Sequence, residues 1–471
     1  MNPAKDRVDE LVDMDKGRLD ISLYTDEGLF EEEMQRIFYK TWVFLGHASE
    51  IAHAGDYKTT YAGRIPVILS RDENGEIHVL INRCAHRGPA VCQYEYGNAN
   101  FFRCEYHGWV YGSDGSLAGV SLRRGFGPGE IDDIQGGLDK AARVDSYRGL
   151  IFASLSPEGP SLSDHLGLAK QYLDDWADRS PTGEVVVTGG VWKHTYIGNW
   201  KLQLEGSNEG YHPDYLHKIS RLVSEQITNA GGMPNRGYQR GGNGGAGGVG
   251  GGGFGTSNAA GIDLGNGHSV MGSGGRAFNP DWKQSAAPDV IERVIARVGE
   301  ERAARVMGMG WRMQMFPNAA FANNQIRIIR PITVNKTEIL QYHVVLPETS
   351  DAAKFSAIKG HQGFYGSAGY GSSDDIEMFA RMQEGYRSSA LKSLNQWALF
   401  SRGRTKETIG PNGERFAHTS SEVEQRAIYY AWKALMKGES NVINTDPVGE
   451  PTAMAALKHG GGKAGGGANI G

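Results

Sequence analysis

Two cysteine–histidine pairs constrain this chain more than any other feature of its sequence. One residue separates Cys84 from His86, two separate Cys104 from His107, and seventeen lie between the pairs. Each pair offers one thiolate and one imidazole, so two loops that carry them can hold a 2Fe–2S cluster, with the cysteines on one iron and the histidines on the other. The spacing therefore predicts an electron-transfer centre.

Structural zinc is the alternative, because Cys2His2 zinc sites also use two ligand pairs separated by a loop. Zinc fingers, however, pair Cys with Cys and His with His, whereas here each pair is mixed. Gly88 and Gly108 follow the two histidines, and glycine lets each loop turn tightly and point its N–H groups at sulfur. We interpret Cys92, the remaining cysteine, as a small buried hydrophobe.

Composition limits the classes of protein to which the chain can belong. Its 471 residues are enough for two or three domains, and its net charge of −5 argues against nucleic acid or anionic membrane as a partner. No apolar run is long enough to cross a bilayer, and the charged first sixteen residues do not form a signal peptide. With two of three cysteines assigned to the cluster, no disulfide is expected, which predicts a soluble cytoplasmic protein.

The residue pattern changes along the chain and predicts four segments. Residues 1–41 contain an amphipathic helix that begins near Asp26 and is expected to pack on a later domain; residues 42–156 read as short strands separated by turns and include both cluster loops. Residues 157–459 mix helical and strand patterns, with a closing helix over 421–437 that Ser421 and Glu424 would cap as a capping box. The glycine-rich residues 241–255 and the tail 460–471 are predicted to be flexible.

A second group of polar residues surrounds two histidines in the later domain. His212 and His217 are five residues apart, which would place them about 140° apart on a regular helix. They could converge on a metal only if the helix were broken, and Pro213 supplies a possible break. The spacing alone also fits an incidental pair.

The predicted cluster makes a metal at His212 and His217 more plausible, because an electron-transfer cluster needs an electron acceptor. Two histidines and one carboxylate form the open iron site of oxygen-activating enzymes. The best distant candidate for the carboxylate is the pair Asp374 and Asp375, which follows the glycine-containing residues 366–369. Paired aspartates are also common at solvated helix starts.

Together, these motifs resemble the large (alpha) subunit of Rieske-type aromatic ring-hydroxylating oxygenases. The resemblance rests on Cys84–Gly88, Cys104–Trp109, Asn199–Lys201 continuing to His217, Asp263–His268, and Ser373–Asp375. For the Asp263–His268 stretch, a plain turn is an equal alternative to a place in the pocket wall. The resemblance implies an α+β chain with an N-terminal Rieske all-β domain at 42–156 and a C-terminal antiparallel-sheet catalytic domain with helices, which binds mononuclear iron, at 157–459.

The resemblance also implies residue roles. Cys84 and Cys104 would hold one cluster iron and His86 and His107 the other, while His212, His217 and Asp375 would ligate mononuclear Fe(II). Glu209 stands where the family usually has an aspartate that bridges a cluster histidine of one subunit to an iron histidine of its neighbour. Gly206 is a second departure, since asparagine is common there.

The activity implied by the resemblance is hydroxylation of an aromatic ring by O2, most often to a cis-dihydrodiol. Electrons would come from NAD(P)H through a reductase, with or without a ferredoxin, to a homotrimer or an assembly of three alpha and three small beta subunits. A Rieske monooxygenase or demethylase, and a non-catalytic electron-transfer or zinc-stabilised protein, remain as alternatives. Lys218 and Arg221 could attract an aromatic carboxylate or form a solvated basic surface.

Overall fold

The computed structural model describes residues 3–131, 137–210, 212–218, 222, 226, 260–272, 281–308, 311–322, 324–367, 369 and 371–439. The glycine-rich segment 241–255 and the tail 460–471, both predicted to be flexible, lie outside these residues. Within the described part of the chain, every helix is too short or too polar to span a bilayer.

Strands dominate the first part of the described chain. They are β1 (Val12–Asp13), β2 (Arg18–Asp20), β3 (Val43–His47), β4 (Asp56–Ala62), β5 (Ile65–Arg71), β6 (Ile77–Ile81), β7 (Tyr96–Asn98), β8 (Phe101–Arg103), β9 (Val110–Gly112), β10 (Leu117–Gly119), β11 (Arg143–Tyr147) and β12 (Leu150–Ser154). The later strands are β13 (Val186–Ile197), β14 (Ala260–Gly265), β15 (His268–Gly272), β16 (Trp311–Met315), β17 (Ala319–Ala322), β18 (Gln325–Thr333), β19 (Lys336–Val345), β20 (Trp397–Leu399), β21 (Thr408–Ile409) and β22 (Arg415–His418).

Helices frame the strands at both ends of the chain and cover the later sheet. They are α1 (Pro3–Leu11), α2 (Glu27–Glu33), α3 (Leu162–Leu166), α4 (Ala169–Asp178), α5 (Trp200–Ser207), α6 (Pro288–Val298), α7 (Glu300–Gly308), α8 (Asp351–Tyr365), α9 (Ser372–Tyr386) and α10 (Val423–Lys437). The helix predicted near Asp26 is α2, capped by the Asp26 carboxylate and continued by a π-helical turn over Met34–Phe38.

The first β-rich region consists of three small antiparallel sheets, as its alternating pattern predicts. Their strand orders are β6-β5-β4-β7, β10-β9-β8 and β11-β12-β3. One cluster loop follows β6, and the other joins β8 to β9. Cys84 and Cys104 belong to a compact core that also contains Tyr57, Trp109 and Tyr111, so the two loops are held against each other by apolar packing.

A nine-stranded antiparallel sheet organises the second region, in the order β13-β19-β18-β17-β16-β15-β14-β22-β21. Its side chains alternate between two faces, as strand geometry requires. One face is apolar and packs Ile326, Ile328 and Phe321 in one core with Trp176 of α4. The other face is apolar at Ile329 and Ile339 and polar where it meets helix α8, at the contact of His343 with His361. The candidate iron site lies on this polar side.

Helix α5, which leads into the two histidines, is anchored by a fully buried charge network. Glu33 of α2 accepts hydrogen bonds from the Trp200 indole at 2.8 Å, the Trp432 indole at 2.7 Å and the Lys201 ammonium at 2.5 Å. Glu33 and Lys201 are both 0 % exposed. Burial lowers the pKa of Lys201, and the charge of Glu33 opposes that shift. The network ties α5 to helices from both ends of the chain.

Replacing Lys201 with methionine is therefore expected to lower the free energy of unfolding by about 3–5 kcal/mol, because it leaves a buried carboxylate without its cation. Chemical denaturation monitored by circular dichroism measures the change. The double variant Glu33→Gln/Lys201→Met, which removes both charges, should lose less. A single variant no less stable than the double variant would contradict the role of the ion pair.

The capping box predicted at the closing helix is wrong, although α10 itself lies where the pattern predicts. Helix α10 starts after Glu422, whose φ of 55° ends the preceding turn, and no side chain caps it. The Glu424 carboxylate lies against Gly261 of β14 and does not turn back toward Ser421. Burial of Glu424 on the sheet side of α10 prevents the local cap.

Candidate cluster and iron sites

The two cluster loops share one backbone conformation. In the first, the Gly88 N–H donates to the Cys84 carbonyl oxygen at 2.9 Å; in the second, Gly108 donates to Cys104 at 2.9 Å. Both glycines have positive φ, 85° and 70°, which a larger residue would adopt only with strain. Their N–H groups close the tight turns that the sequence predicts. The equivalence of the loops is what a shared cluster requires.

The ligand atoms of these loops suit a metal cluster. Cys84 and Cys104 are 2 % and 1 % exposed, and the Tyr111 hydroxyl, 3.1 Å from the Cys84 sulfur, can donate to a thiolate. The His86 ring stacks on Trp109 at 4.8 Å and meets His107 at 4.6 Å. Nδ1 of His86 is buried and lacks a hydrogen-bond partner in the described structure, which is expected of an imidazole nitrogen reserved for iron. The residues present fit a 2Fe–2S cluster.

His212, His217 and Asp375 converge, although 157 residues lie between the last two in sequence. One ligand atom from each lies within 4.8 Å of the others. Asp375 Oδ1 is 3.2 Å from His217 Nε2 and 3.7 Å from His212 Nε2. Two ligand atoms bound to one ion at about 2.1 Å and about 100° would lie about 3.2 Å apart. The three side chains therefore fit a single metal ion with open coordination positions.

A helix break brings the two histidines together, as the sequence predicts. Helix α5 ends at Ser207, and a separate 3-10 turn begins at His212 and includes Pro213. The Glu209 carboxylate accepts the His212 backbone N–H at 2.8 Å and so stabilises the start of this turn. The imidazole planes end 73° apart, with ring centres separated by 5.3 Å.

The turn between α8 and α9 presents Asp375 to the histidines. Gly369 donates to the Gly366 carbonyl at 2.7 Å, and Gly371 donates to the Phe364 carbonyl at 2.9 Å. Helix α9 then begins at Ser372, which places Asp375 in its first turn. The predicted carboxylate is therefore held by a short, hydrogen-bonded connection.

A carboxylate supports the outer nitrogen of each histidine. His212 Nδ1 is 2.9 Å from Glu209 Oε2, and His217 Nδ1 is 3.3 Å from Asp374 Oδ2. Burial lowers the pKa of His212, but the hydrogen bond and charge of Glu209 outweigh it, so the pKa is raised. Each imidazole therefore directs Nε2 toward Asp375 while a carboxylate fixes its ring, an arrangement typical of metal-bound histidine.

Comparisons with known proteins agree with this geometry. Residues 41–125 match the Rieske [2Fe-2S] domain, and residues 184–428 match the ring hydroxylating alpha subunit (catalytic domain). The large subunit of anthranilate 1,2-dioxygenase from Acinetobacter baylyi is 33% identical over 89% of this chain and 89% of its own length. The alpha subunit of biphenyl 2,3-dioxygenase from Rhodococcus jostii is 31% identical over 91% of this chain and 90% of its own.

A solved structure extends the likeness to the fold. Naphthalene 1,2-dioxygenase from Rhodococcus sp. bound to indole superposes with a TM-score of 0.77 and 27% identity, over 93% of this chain and 99% of that one. This chain belongs to the ring-hydroxylating dioxygenase alpha subunits. Members of this family are terminal oxygenases that combine a Rieske 2Fe–2S cluster with a mononuclear iron. The zinc-protein and simple electron-carrier alternatives are therefore wrong.

At Gly206, where the family commonly has asparagine, another residue occupies the space that a side chain would need. A Cβ atom at this position would lie 2.8 Å from the Phe379 ring. The neighbouring Glu205 is buried and accepts hydrogen bonds from the hydroxyls of Tyr24, at 2.9 Å, and Tyr429. Burial raises the pKa of Glu205 to about 7. At position 206, the aromatic ring of Phe379 therefore occupies space that an asparagine side chain would need.

Other residues predicted to belong to the site have varied outcomes. Asn266 and Gly267 form the turn of the β14–β15 hairpin with φ of 54° and 79°, so the plain-turn alternative for the Asp263–His268 stretch is correct. Lys218 is exposed, and Arg221 lies outside the described residues. The hydroxyl of Tyr365 accepts a hydrogen bond from Arg312 at 2.8 Å.

The sequence did not indicate two arginines that lie near the iron site. Arg312 lies on β16 and Arg327 on β18, within strands whose patterns predict only sheet structure. The charge of Arg312 acts on His212, and the charge of Asp375 acts on Arg327. An arginine within a strand that is expected to be buried could have identified these residues as candidates, because arginine is almost never buried without a partner.

Proposed function

We propose that this chain adds both atoms of one O2 molecule to adjacent carbons of an aromatic ring, giving a cis-dihydrodiol. The observation that carries the proposal is the convergence of two histidines and one carboxylate, His212, His217 and Asp375, in a chain with two equivalent cluster loops. Such a triad leaves neighbouring coordination positions for O2 beside a substrate. The dioxygenase names of the relatives support the same reaction.

Each ligand has a specific place in this proposal. Cys84 and Cys104 hold one cluster iron, His86 and His107 the other, and His212, His217 and Asp375 the mononuclear Fe(II). When bound, the mononuclear iron supplies O2 activation with electrons delivered by the cluster. Glu209 and Asp374 orient the imidazoles of His212 and His217, and the Phe364 ring, 5.4 Å from His217, shields that histidine from water.

Glu209 would carry the electron path between subunits. One of its oxygens lies 2.9 Å from His212 Nδ1, and its side chain is only 17 % exposed. A second acceptor position on the carboxylate can receive an N–H from a cluster histidine of a neighbouring subunit, coupling the two imidazoles. The path requires more than one copy of the chain, so we propose a homotrimer or an assembly of three alpha and three beta subunits.

The assembly would draw electrons from a separate reductase, with or without a ferredoxin, in the cytoplasm. The three cysteines form no disulfide, which is consistent with a reducing compartment. We propose the domain division 1–41, 42–156, 157–459 and 460–471, in which the first segment packs on the catalytic domain. The ion pairs from Asp9 of α1 to Lys433 and Lys437 of α10 support that packing.

Turnover under oxygen-18-labelled O2 tests the reaction. The reduced holoenzyme with its electron-transfer partners should convert an aromatic acid or a neutral arene to a product that carries two labelled oxygens on adjacent carbons. A single labelled oxygen, or loss of a methyl group, would instead indicate the monooxygenase or demethylase alternative. A Cys104→Ser variant, which lacks a proposed cluster ligand, should give no product and no Rieske signal in the EPR spectrum.

The comparisons leave the charge of the substrate open. One relative is named for anthranilate, which carries a carboxylate, and another for biphenyl, which is a neutral hydrocarbon. Their identities to this chain, 33% and 31%, are too close to decide between these classes. The polar residues beside the iron site bear directly on that choice.

A further inference from the structure

A buried arginine beside the iron site has no counter-ion in the described structure. Arg327 is 5 % exposed, and no hydrogen bond or ion pair joins its guanidinium to another described residue. Its Nε atom is buried without a partner. The nearest interaction is with the face of the Tyr365 ring, whose centre is 4.9 Å from Cζ. A charge held in this way lacks the compensation that buried ions require.

The other buried arginines among the described residues satisfy that requirement. Arg426 is paired with Glu407 and donates to three backbone carbonyls. Arg179 donates to the Trp176 carbonyl at 2.9 Å. Arg327 therefore differs from comparable residues of the same chain, which points to an anion that arrives from outside the protein.

The strand register places a second arginine on the same face of the sheet as Arg327. Arg312 is paired across the ladder with Ala322 of β17, and Arg327 with Ala320 of the same strand. Residues directly opposite each other in a ladder share a face, as do residues two apart in one strand. The two arginines consequently lie on the same face, separated by a strand that contributes only alanine side chains between them.

The arginines also lie beside the proposed metal ligands. Cζ of Arg327 lies 4.9 Å from the centre of the Tyr365 ring, that ring is 4.6 Å from the Phe364 ring, and the Phe364 ring is 5.4 Å from His217. Burial lowers the pKa of Arg327, and the charges of Tyr365 and Asp375 oppose that shift. Arg312 donates to the Tyr365 hydroxyl at 2.8 Å and has no ion pair within the described part of the chain. A bound ferrous ion would neutralise Asp375 and leave both guanidinium charges without compensation.

We propose that Arg327, together with Arg312, binds the carboxylate of an aromatic acid and so positions its ring beside the iron. The inference rests on the proposed function, because the ring must reach the iron held by His212, His217 and Asp375. The planar guanidinium fork matches a carboxylate with two parallel hydrogen bonds. The substrates are therefore benzoate-like acids, and neutral arenes bind more weakly because they leave the arginines unpaired.

Calorimetric binding to the anaerobic holoenzyme, without electron donors, tests the proposal independently of turnover. The ligands are benzoate and the neutral isostere benzamide. Wild type should prefer benzoate, and Arg327→Gln should weaken benzoate binding by about tenfold or more while changing benzamide binding little. Equal affinity of wild type for both ligands, or full benzoate affinity in Arg327→Gln, would overturn the proposal. The second result would also be expected if an acidic residue outside the described chain paired with Arg327.

Arg330 supplies the matched control on the same strand. It lies three residues from Arg327, is paired with Glu338 at 2.8 Å and faces Tyr61. Arg330→Gln should keep the preference of wild type for benzoate. Arg327→Lys, which keeps the charge but not the fork, should bind benzoate with intermediate affinity. If Arg327→Gln fails to fold, this variant and the wild-type comparison still decide the question.

Failure of this inference can be distinguished from failure of the proposed function. An enzyme that dihydroxylates neutral arenes but does not prefer benzoate over benzamide overturns the carboxylate site alone. Preferential binding of benzoate that depends on Arg327, with no labelled product from any arene, supports the anion site and overturns the dioxygenase reaction.

Discussion

Replacing Asp375 with asparagine is expected to remove the mononuclear iron and to lower oxygenation by more than about 100-fold. The neutral amide is a much poorer ligand than a carboxylate for Fe(II), and even the outer partners of metal ligands are worth 10–100-fold. Asp375 Oδ1 is the atom nearest both His217 Nε2 and His212 Nε2, at 3.2 and 3.7 Å. Iron analysis should fall from about three to about two atoms per chain, with the Rieske EPR signal unchanged.

The adjacent carboxylate is the control. Asp374 is 37 % exposed at its side chain and contacts only the outer nitrogen of His217. Asp374→Asn should therefore keep about three irons per chain in excess iron, with at most a weaker affinity. Iron loss in Asp374→Asn but not in Asp375→Asn would transfer the ligand role to Asp374.

Replacing Glu209 with glutamine is expected to slow electron delivery to the iron by about 10–100-fold. The amide removes the negative charge that holds the N–H of His212 Nδ1, and it weakens a bridge to a neighbouring subunit. Stopped-flow absorbance of the reduced cluster, mixed with O2 and substrate, measures the rate of cluster oxidation. Both metal centres should be retained, because Glu209 is not expected to bind iron.

The conservative variant Glu209→Asp distinguishes a role in electron transfer from a purely structural role. Glu209→Asp restores the residue that the family usually has at this position and should recover most of the rate. A Glu209→Gln variant that oxidises its cluster as fast as wild type would remove Glu209 from the electron path. Loss of iron in that variant would show that the carboxylate mainly positions His212.

The cluster motif could be recognised early because its chemistry acts over short sequence distances. Cys84 and His86, like Cys104 and His107, fit within single tight turns, so ligand type and spacing nearly specify the loops. The helix break at Pro213 is likewise a local effect of proline on its neighbours. The failed cap of α10 had the opposite cause, since packing of Glu424 against Gly261 overrode a local preference.

The sequence by itself predicted the two sets of candidate metal ligands, and it identified the β-rich region, the mixed region that follows it, and the family. Only the tertiary structure decided which carboxylate supports which histidine and that Phe379 occupies the space beside Gly206. It also decided that Arg327 is buried with no counter-ion among the described residues. These facts depend on contacts between strands and helices far apart in the chain, and on how well each polar group is paired. The sequence gives the type of each side chain. Its burial and its hydrogen-bond or ion-pair partners are decided only when the sheet and its helices pack together.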